Sequence, residues 1–321
     1  MSRQARARQL TTVLLVLLPL CLLAALALGS VSLGLNESLQ AISQLGQQPE
    51  NRSAIIVNQI RLPRALLAGL VGALLGISGA AMQGIFRNPL ADPSLIGVTA
   101  GASLGASLVI AVIGSGISGL TGLTLISVGA FAGGMLAVVL VYRLASSESG
   151  TSVATMLLAG IAITALAGAM SNVLELFSSN EVLRRISLWR MGGLDGADYS
   201  RVAVAAGIGM VVIAVLPRYA TALNAFLLGE SEARYLGIDV ERTKTGIVLM
   251  VAIAVGTSVA LAGTIAFVGL VVPHIIRLLI GPDHRYLLPA SAIAGALLLI
   301  SADIIARTVI APTELPVGIV T

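Results

Sequence analysis

Long apolar stretches separated by short polar connections constrain this chain more than any other feature. The runs from Ala65 to Gln83 and from Leu95 to Gly114 flank one such connection, and each has about the ~20 residues that a helix needs to cross a bilayer. Only 11% of the residues are charged and 57% are hydrophobic, whereas roughly a quarter of a soluble domain is charged. The chain is therefore expected to use the bilayer as its solvent.

Nine windows of this kind predict membrane-spanning segments. They lie near residues 10–29, 65–83, 95–114, 119–142, 152–176, 200–216, 246–263, 266–281 and 287–306. The alternating polar pattern of a barrel strand is missing, and in lipid every backbone polar group must be satisfied internally, so helices are expected. We predict an all-α fold, a polytopic membrane helical bundle that forms a single transmembrane domain over residues 1–321.

The distribution of basic residues predicts the orientation of the chain. Arg3, Arg6 and Arg8 precede a first apolar run that is longer than the ~7–15 apolar residues of a secretory signal. Further basic residues fall in short loops on the same side: Arg87, Arg143, Arg218, Arg234, Arg242, Lys244, Arg277 and Arg285. Because positive loops face the cytoplasm, we predict a multi-pass protein of the inner membrane with a cytoplasmic N-terminus.

Glycines recur at helical spacing, every three or four residues, in several of the windows. The clearest sets are Gly97, Gly101 and Gly105, then Gly69, Gly72, Gly76 and Gly79, then Gly129 and Gly133. Such spacing places glycines on one helix face and lets a neighbouring helix approach closely. Packing within the subunit is the main interpretation, and a translocation surface is the alternative.

Several kinds of reactive site are missing from the sequence. It contains no Gly-x-x-x-x-Gly-Lys-Ser/Thr motif for binding nucleotide phosphates. His274 and His284 have no acidic or cysteine partner at metal-ligand spacing, so structural roles are expected for both. The net charge of +4 comes without a long basic run or aromatic clusters, which argues against nucleic acid as a partner. We expect a protein that is not an enzyme and holds no metal and no cofactor.

Two polar segments lie on the side of the N-terminus. The first is a proline-bracketed turn with Arg87, Asn88, Pro89, Asp92 and Pro93. The second, residues 219–245, alternates apolar and charged positions, as do short amphipathic helices broken at Gly229 and Gly237. Such helices dock in a groove of a soluble partner, although a solvated or interfacial loop is an open alternative.

Several segments together resemble the permease subunits of ABC importers for iron chelates and cobalamin. They are residues 61–64, 78–83, 87–93, 97–102, 228–237 and 263–277. The resemblance implies the type II importer fold, with ten helices per subunit and a homodimer around a central pathway. It also implies two cytoplasmic ATP-binding subunits, which would hydrolyse the ATP, and a periplasmic substrate-binding protein. Members carry a final helix after the segment that matches residues 314–321, so the tenth helix is expected to be missing here.

The resemblance also implies roles for individual residues. Arg61, Arg64 and Arg307 match basic residues that dock the binding protein through its carboxylates. As alternatives, Arg61 and Arg64 reach lipid headgroups or cap the entrance of the second span, and Arg307 pairs with Asp303 four residues earlier. The residues expected to couple to the ATPase are Leu228, Gly229, Glu230, Glu232, Ala233, Arg234, Leu236 and Gly237. The turn from Arg87 to Pro93 would contact the ATPase or support these coupling helices.

The fifth span is the expected wall of the pathway. Residues Ser146, Ser147, Ser149 and Thr151 resemble the cytoplasmic gate that precedes it, and Asn172 and Glu175 make its outer end polar. The alternative for Glu175 is a helix end in ordinary contact with water.

These features predict an importer permease that moves a metal chelate from periplasm to cytoplasm. Haem, ferric siderophores and cobalamin all suit it, with a slight preference for haem from the loops at 88–93 and 281–285. The alternative is a secondary transporter or channel driven by an ion gradient, without an ATPase. The large amphipathic segment and the scarcity of buried acids favour the importer.

Overall fold

The computed structural model describes residues 3–31, 33–43, 51–113, 119–148 and 150–321, and most of them are helical. The α-helices are α1 (Arg3–Ala27), α2 (Leu35–Ser43), α3 (Arg52–Ile55), α4 (Leu62–Ile85), α5 (Val98–Ile113), α6 (Gly119–Ala145), α7 (Val153–Leu176), α8 (Asn180–Arg190), α9 (Tyr199–Val215), α10 (Ala220–Phe226), α11 (Glu230–Tyr235), α12 (Val240–Ala262), α13 (Val268–Ile280), α14 (His284–Thr308) and α15 (Val317–Val320). A π-helix, Ile56–Arg61, joins α3 to α4, and 3-10 helices cover Pro93–Ile96 and Leu216–Tyr219. Strands β1 (Ser146–Ser147) and β2 (Gly150–Thr151) pair antiparallel in a hairpin before α7.

The membrane-spanning helices match the windows predicted from sequence. Among the described residues, seven helical runs are long and apolar enough to cross a membrane, and α5 and α13 are shorter apolar helices. Together these nine correspond to the nine windows, so the prediction of an all-α polytopic bundle is confirmed. Helices α2 and α8 were not predicted, because neither is apolar enough to register as a span.

Side-chain caps fix where several of these helices begin. Asp198, Asp239 and Asp283 each accept a hydrogen bond from a backbone N–H in the first turn of α9, α12 and α14. Ser152 does the same for α7 at 3.3 Å. The first N–H groups of a helix have no partner inside it, so these caps stabilise each start next to the bilayer.

Close contacts between glycines hold the central helices together. A Cβ on Gly72 of α4 would overlap the carbonyl of Gly295 in α14, and one on Gly76 would overlap the carbonyl of Ser291. Helices α5 and α6 meet in the same way through Gly101, Gly105, Gly129 and Gly133. Backbones this close gain dispersion contacts that lipid tails do not match. The packing interpretation of these glycines is therefore confirmed.

We expect Gly76→Ala to destabilise the protein by roughly 1–3 kcal/mol, because the new methyl group forces α4 and α14 apart. Gly207→Ala in α9 is the matched control, since a Cβ there meets nothing within 4 Å. The control should be neutral or slightly stabilising, as alanine favours helix over glycine. Thermal unfolding of the purified variants measures both changes, and equal stabilities would contradict this account of the packing.

Candidate functional site

Charged clusters occupy the two opposite ends of the bundle. One surrounds Asp303 near the end of α14, and the other surrounds Lys244 near the start of α12. We call these the Asp303 end and the Lys244 end. Asp303 follows the start of α14 at His284 by nineteen residues, a distance of about 28 Å along a helix at 1.5 Å per residue. The start of α14 contacts α10 through Asp283 and Asn224, and the next helix, α11, carries the partner of Lys244. The two clusters therefore lie at opposite ends of the bundle.

A buried ionic network lies at the Asp303 end. Arg64 Nε of α4 lies 2.8 Å from Asp303 Oδ1, and Arg307 Nε lies 3.0 Å from Asp303 Oδ2. Arg64 also reaches Glu314 Oε2 at 2.6 Å. The Asp303 side chain is only 1% exposed. Since buried charges require partners, this network fixes α4 against α14 and the segment that follows it.

Arg61 and Arg307 hold the end of α1. Arg61 Nη1 donates to the carbonyls of Leu26 at 2.6 Å and Ala27 at 2.9 Å, and its Nη2 donates to Val31. Arg307 Nη2 donates to Ala25 O at 3.1 Å. The last carbonyls of a helix lack partners within it, and guanidinium groups at this position satisfy them.

The structure thus places the three predicted docking arginines inside the chain. Arg61, Arg64 and Arg307 are 3%, 6% and 3% exposed. The alternative pairing of Arg307 with Asp303 is present. Arg61 also caps a helix, but at the end of α1 and not at the entrance of α4, where the capping alternative placed it. Contact between these residues and a binding protein stays a prediction.

At the Lys244 end, α10 and α11 form a corner with an exposed apolar surface. The chain turns at Gly229, whose φ of 122° is one that favours glycine. Phe226 and Ala233 point into the protein. We call the exposed part the coupling surface, and it consists of Leu228 at 69%, Tyr235 at 86% and Leu236 at 64% exposure.

The remaining predicted coupling residues divide between the surface and the interior. Glu232, Arg234 and Gly237 are exposed, whereas Glu230 is half-buried and points to Lys244. Tyr235 was not among the predicted residues. No separate signal in the sequence marks Tyr235, and its exposure in the folded chain is what identifies it.

The turn after α4 lies at the same end. Gly84 of α4 lies against Leu223 of α10, which brings the turn close to the corner. Arg87, Asn88 and Pro89 are exposed, whereas Pro93 is buried against Gly269 of α13. The side chains of Asn88 and Asp92 accept backbone hydrogen bonds within the turn, at 2.9 and 2.8 Å. The first part of the turn is therefore free to meet a partner, and the last part supports the bundle.

A hydrogen-bonded cluster joins α10 to the start of α14. Asn224 Nδ2 donates to Asp283 Oδ1 at 2.8 Å, and Asn224 Oδ1 accepts from the backbone N–H of His284 at 2.9 Å. Hydrogen bonds from Arg285, which forms the expected local pair, lower the pKa of Asp283 to about 2. His284 is buried in this cluster, in keeping with the expected structural role.

The predicted gate residues form the hairpin before α7. Ser146 and Ser147 are exposed, and Thr151 is buried, with its hydroxyl 3.0 Å from that of Ser146. Ser149 lies outside the described residues. The structure thus brings Ser146 and Thr151 together at the Lys244 end, where the fifth span begins.

Helix α7 leaves most of its surface uncovered by the described part of the chain. Its exposed apolar residues include Leu158, Ile161, Leu166, Met170, Val173 and Leu176. Asn172 is also exposed, and Glu175 Oε1 lies 2.8 Å from Arg190 Nη1 of α8. Arg190 therefore compensates the charge of Glu175. This acid lies near the end of α7, as the helix-end interpretation of Glu175 proposed.

An irregular segment between α12 and α13 was not predicted to be part of the site. Residues Gly263 to Phe267 run without helical structure, and Phe267 has a φ of 64°, which is rare for a bulky residue. A cavity of about 240 Å³ lies beside this segment and is lined in part by Asp92, Ser94, Thr99 and Thr264. Non-helical backbone at membrane depth is tolerated where protein or a water-filled cavity surrounds it. The signal in the sequence was the very short connection between two apolar windows.

Comparison with known proteins gives consistent matches over most of the chain. The profile of the FecCD transport family matches residues 15–321. The hemin transport system permease protein HmuU of Yersinia pestis is 44% identical over 302 residues, which are 94% of this chain and 90% of that protein. The cobalamin import system permease protein BtuC of Halobacterium salinarum is 44% identical over 267 residues, which are 83% and 70% of the two chains.

Solved structures share the architecture. One described as a metal-chelate type ABC transporter in an inward-facing conformation superposes with a TM-score of 0.85 at 29% identity, covering 97% of this chain and 94% of its own. PsaBC from Streptococcus pneumoniae in complex with Fab gives a TM-score of 0.51 at 15% identity, covering 81% and 86%, which is a likeness of fold alone.

Proposed function

Because this chain belongs to the FecCD transport family of ABC transporter permeases, we propose that it is the membrane subunit of an ATP-driven importer for a metal chelate. The coupling surface carries this proposal. Leu228, Tyr235 and Leu236 project from two short helices at one end of the bundle, outside the long spans. Exposed apolar patches of this kind mark protein interaction sites. Since the sequence has no phosphate-binding motif, ATP hydrolysis is assigned to two cytoplasmic partner subunits docked on this surface.

The proposed working unit is a homodimer. The uncovered apolar face of α7 provides an interface that a second copy of the chain would cover. The pathway would run between the copies, with Asn172 and Glu175 of α7 and the segment from Gly263 to Phe267 along its wall. The hairpin with Ser146, Ser147, Ser149 and Thr151 would act as its cytoplasmic gate.

The proposed orientation places the Lys244 end in the cytoplasm and the Asp303 end at the periplasm. Basic residues in the loops of the Lys244 end support this arrangement in an inner membrane. A periplasmic substrate-binding protein would then dock at the Asp303 end. Haem is the preferred cargo because the relative HmuU is a hemin permease, and the relative BtuC supports cobalamin as the second candidate.

Uptake into proteoliposomes tests the proposed function. The purified chain is reconstituted with its ATPase and binding protein and supplied with haem, a ferric siderophore or cobalamin. We expect accumulation of one chelate only when ATP and both partners are present. Uptake driven by a proton or sodium gradient in the absence of ATPase would instead support the secondary transporter.

Docking by Arg61 is tested by Arg61→Gln. We expect lower thermal stability, because the carbonyls of Leu26 and Ala27 lose their donor. If Arg61 also contacts the binding protein, the affinity for that protein falls in the variant as well. An affinity equal to that of the wild type at low salt would limit Arg61 to its role at the end of α1.

A further inference from the structure

A buried lysine lies between the corner formed by α10 and α11 and the gate hairpin. Lys244 belongs to the second turn of α12, and its side chain is 1% exposed. Its Nζ donates to Glu230 Oε2 of α11 at 2.7 Å and to the carbonyl of Thr151 in β2, also at 2.7 Å. A buried ammonium group is costly unless it is paired and hydrogen-bonded. The single ammonium group of Lys244 therefore links α11 to β2.

A second acid completes the arrangement. Glu241 Oε2 accepts a hydrogen bond from the backbone N–H of Thr151 at 2.8 Å, and its Oε1 lies 3.8 Å from Lys244 Nζ and 3.4 Å from Arg234 Nη2. Both backbone polar groups of Thr151 are thus bound by side chains of α12. We call Lys244, Glu230, Glu241 and Thr151 the Lys244 clamp.

The hairpin has little room to move independently of this clamp. Gly150 has a φ of 114°, and a Cβ there would lie 2.7 Å from Glu241 Oε1, so the backbone passes close against the acid. The Thr151 hydroxyl also donates to Tyr142 Oη of α6 at 3.2 Å. A displacement of Glu241 or Lys244 would therefore displace the start of α7.

We propose that Lys244 is a positioning residue of the transport cycle, which transmits movement of α11 to the hairpin β1–β2 and so to α7. The inference rests on the proposed function, because it assigns the driving movement to an ATPase on the coupling surface. An ammonium group suits the task because one flexible side chain with several donors can hold acceptors from two elements at once. An apolar residue would fill the same space without joining them.

The test compares Lys244→Met with Arg242→Met. Lys244→Met keeps an unbranched side chain that is one heavy atom shorter, and it removes the charged amino group. Arg242 is the matched control, since it lies on the same helix and its side chain is 90% exposed. Each variant is assembled with the ATPase and the binding protein in proteoliposomes, and chelate uptake is measured per ATP hydrolysed. We expect a loss of about 5-fold to 150-fold for Lys244→Met, the usual range for coupling between distant sites, and no loss for the control.

A distance measurement distinguishes a role of Lys244 in transmitting movement from a role in stabilising the fold alone. Spin labels are placed at the exposed positions Glu148 and Ser231, after Cys21→Ser removes the single cysteine. In the otherwise unchanged protein, we expect a narrow distance distribution that is the same with and without ATP, because hairpin and α11 move together. In Lys244→Met we expect a broad distribution, or one that changes with ATP. Unchanged uptake per ATP, or an unchanged narrow distribution, would overturn the proposal.

A second variant covers the case in which Lys244→Met does not fold. Glu230→Gln removes the carboxylate on the α11 side, where the side chain is 29% exposed, and leaves the lysine bonded to Thr151 and near Glu241. We expect the same direction of change, and no change in distances or uptake would contradict the proposal. If the wild type shows no ATP-driven uptake, the proposed function fails, whereas the distances still test the link between the two elements.

Discussion

Replacing Leu228 and Tyr235 with aspartate should abolish ATP-driven uptake while leaving the membrane fold intact. Both side chains are largely exposed, so charge at these positions costs little within the chain itself. In an interface with the ATPase, each carboxylate would be desolvated without a partner. Truncation of a hot-spot residue at the centre of an interface costs about 2 kcal/mol or more, which is roughly 30-fold in affinity. A buried unpaired charge should cost more.

Two measurements check this expectation. Binding of the purified ATPase to the reconstituted variant should fall at least roughly 30-fold, and chelate uptake should fall with it. Val309→Asp is the control, because Val309 is similarly exposed at 64% but lies at the Asp303 end. It should bind the ATPase normally. ATPase binding by the double variant that equals that of the wild type would show that the partner docks elsewhere.

Asp303→Ala is expected to give the largest loss of stability of any single substitution considered. The change leaves Arg64 and Arg307 buried, with Glu314 as the acid that remains in the network. Removing one partner from a buried ionic network typically costs about 3–5 kcal/mol. The contact of Arg307 with the end of α1 would weaken as well, because Arg307 would lose the acid that positions it.

Unfolding of the purified protein in detergent measures this loss. Arg242→Ala provides the comparison, since its ion pair with Asp239 is exposed and such pairs contribute only about 0–1 kcal/mol. Glu314→Gln should fall between the two, because Glu314 is 36% exposed. A destabilisation by Asp303→Ala as small as that of Arg242→Ala would mean that the network does not hold α4, α14 and α1 together.

Most of the span assignment followed from the sequence, because the bilayer imposes a strong and simple rule on it. The window at 152–176 became α7 at Val153–Leu176, and that at 119–142 became α6 at Gly119–Ala145. Helix caps explain part of the mismatch between the predicted windows and the observed helix boundaries. The window at 246–263 missed the first six residues of α12. They are mostly polar, and the helix starts there because the side chain of Asp239 caps it.

The candidate site was predictable only in part. The amphipathic pattern around Gly229 located the corner of α10 and α11, but exposure alone identified Tyr235 as part of its surface. Arg61, Arg64 and Arg307 were assigned to the outer side without any sign that they are buried. Their partners, Asp303 and the carbonyls of α1, are far away in sequence except for the Asp303–Arg307 spacing. Sequence spacing reveals contacts within one helix and not those between helices.

Hydrophobic length and helix-forming spacing are local properties that lipid makes decisive, so they were enough to predict a membrane bundle and the positions of its helices. The roles of the charged residues became apparent only in the folded chain. Lys244 reads in the sequence as one more basic residue near the cytoplasm, yet folding brings it between Glu230 and Thr151. The free energy of burying such a charge depends on the atoms that surround it in the folded chain. Those atoms come from elements whose contacts the sequence does not reveal.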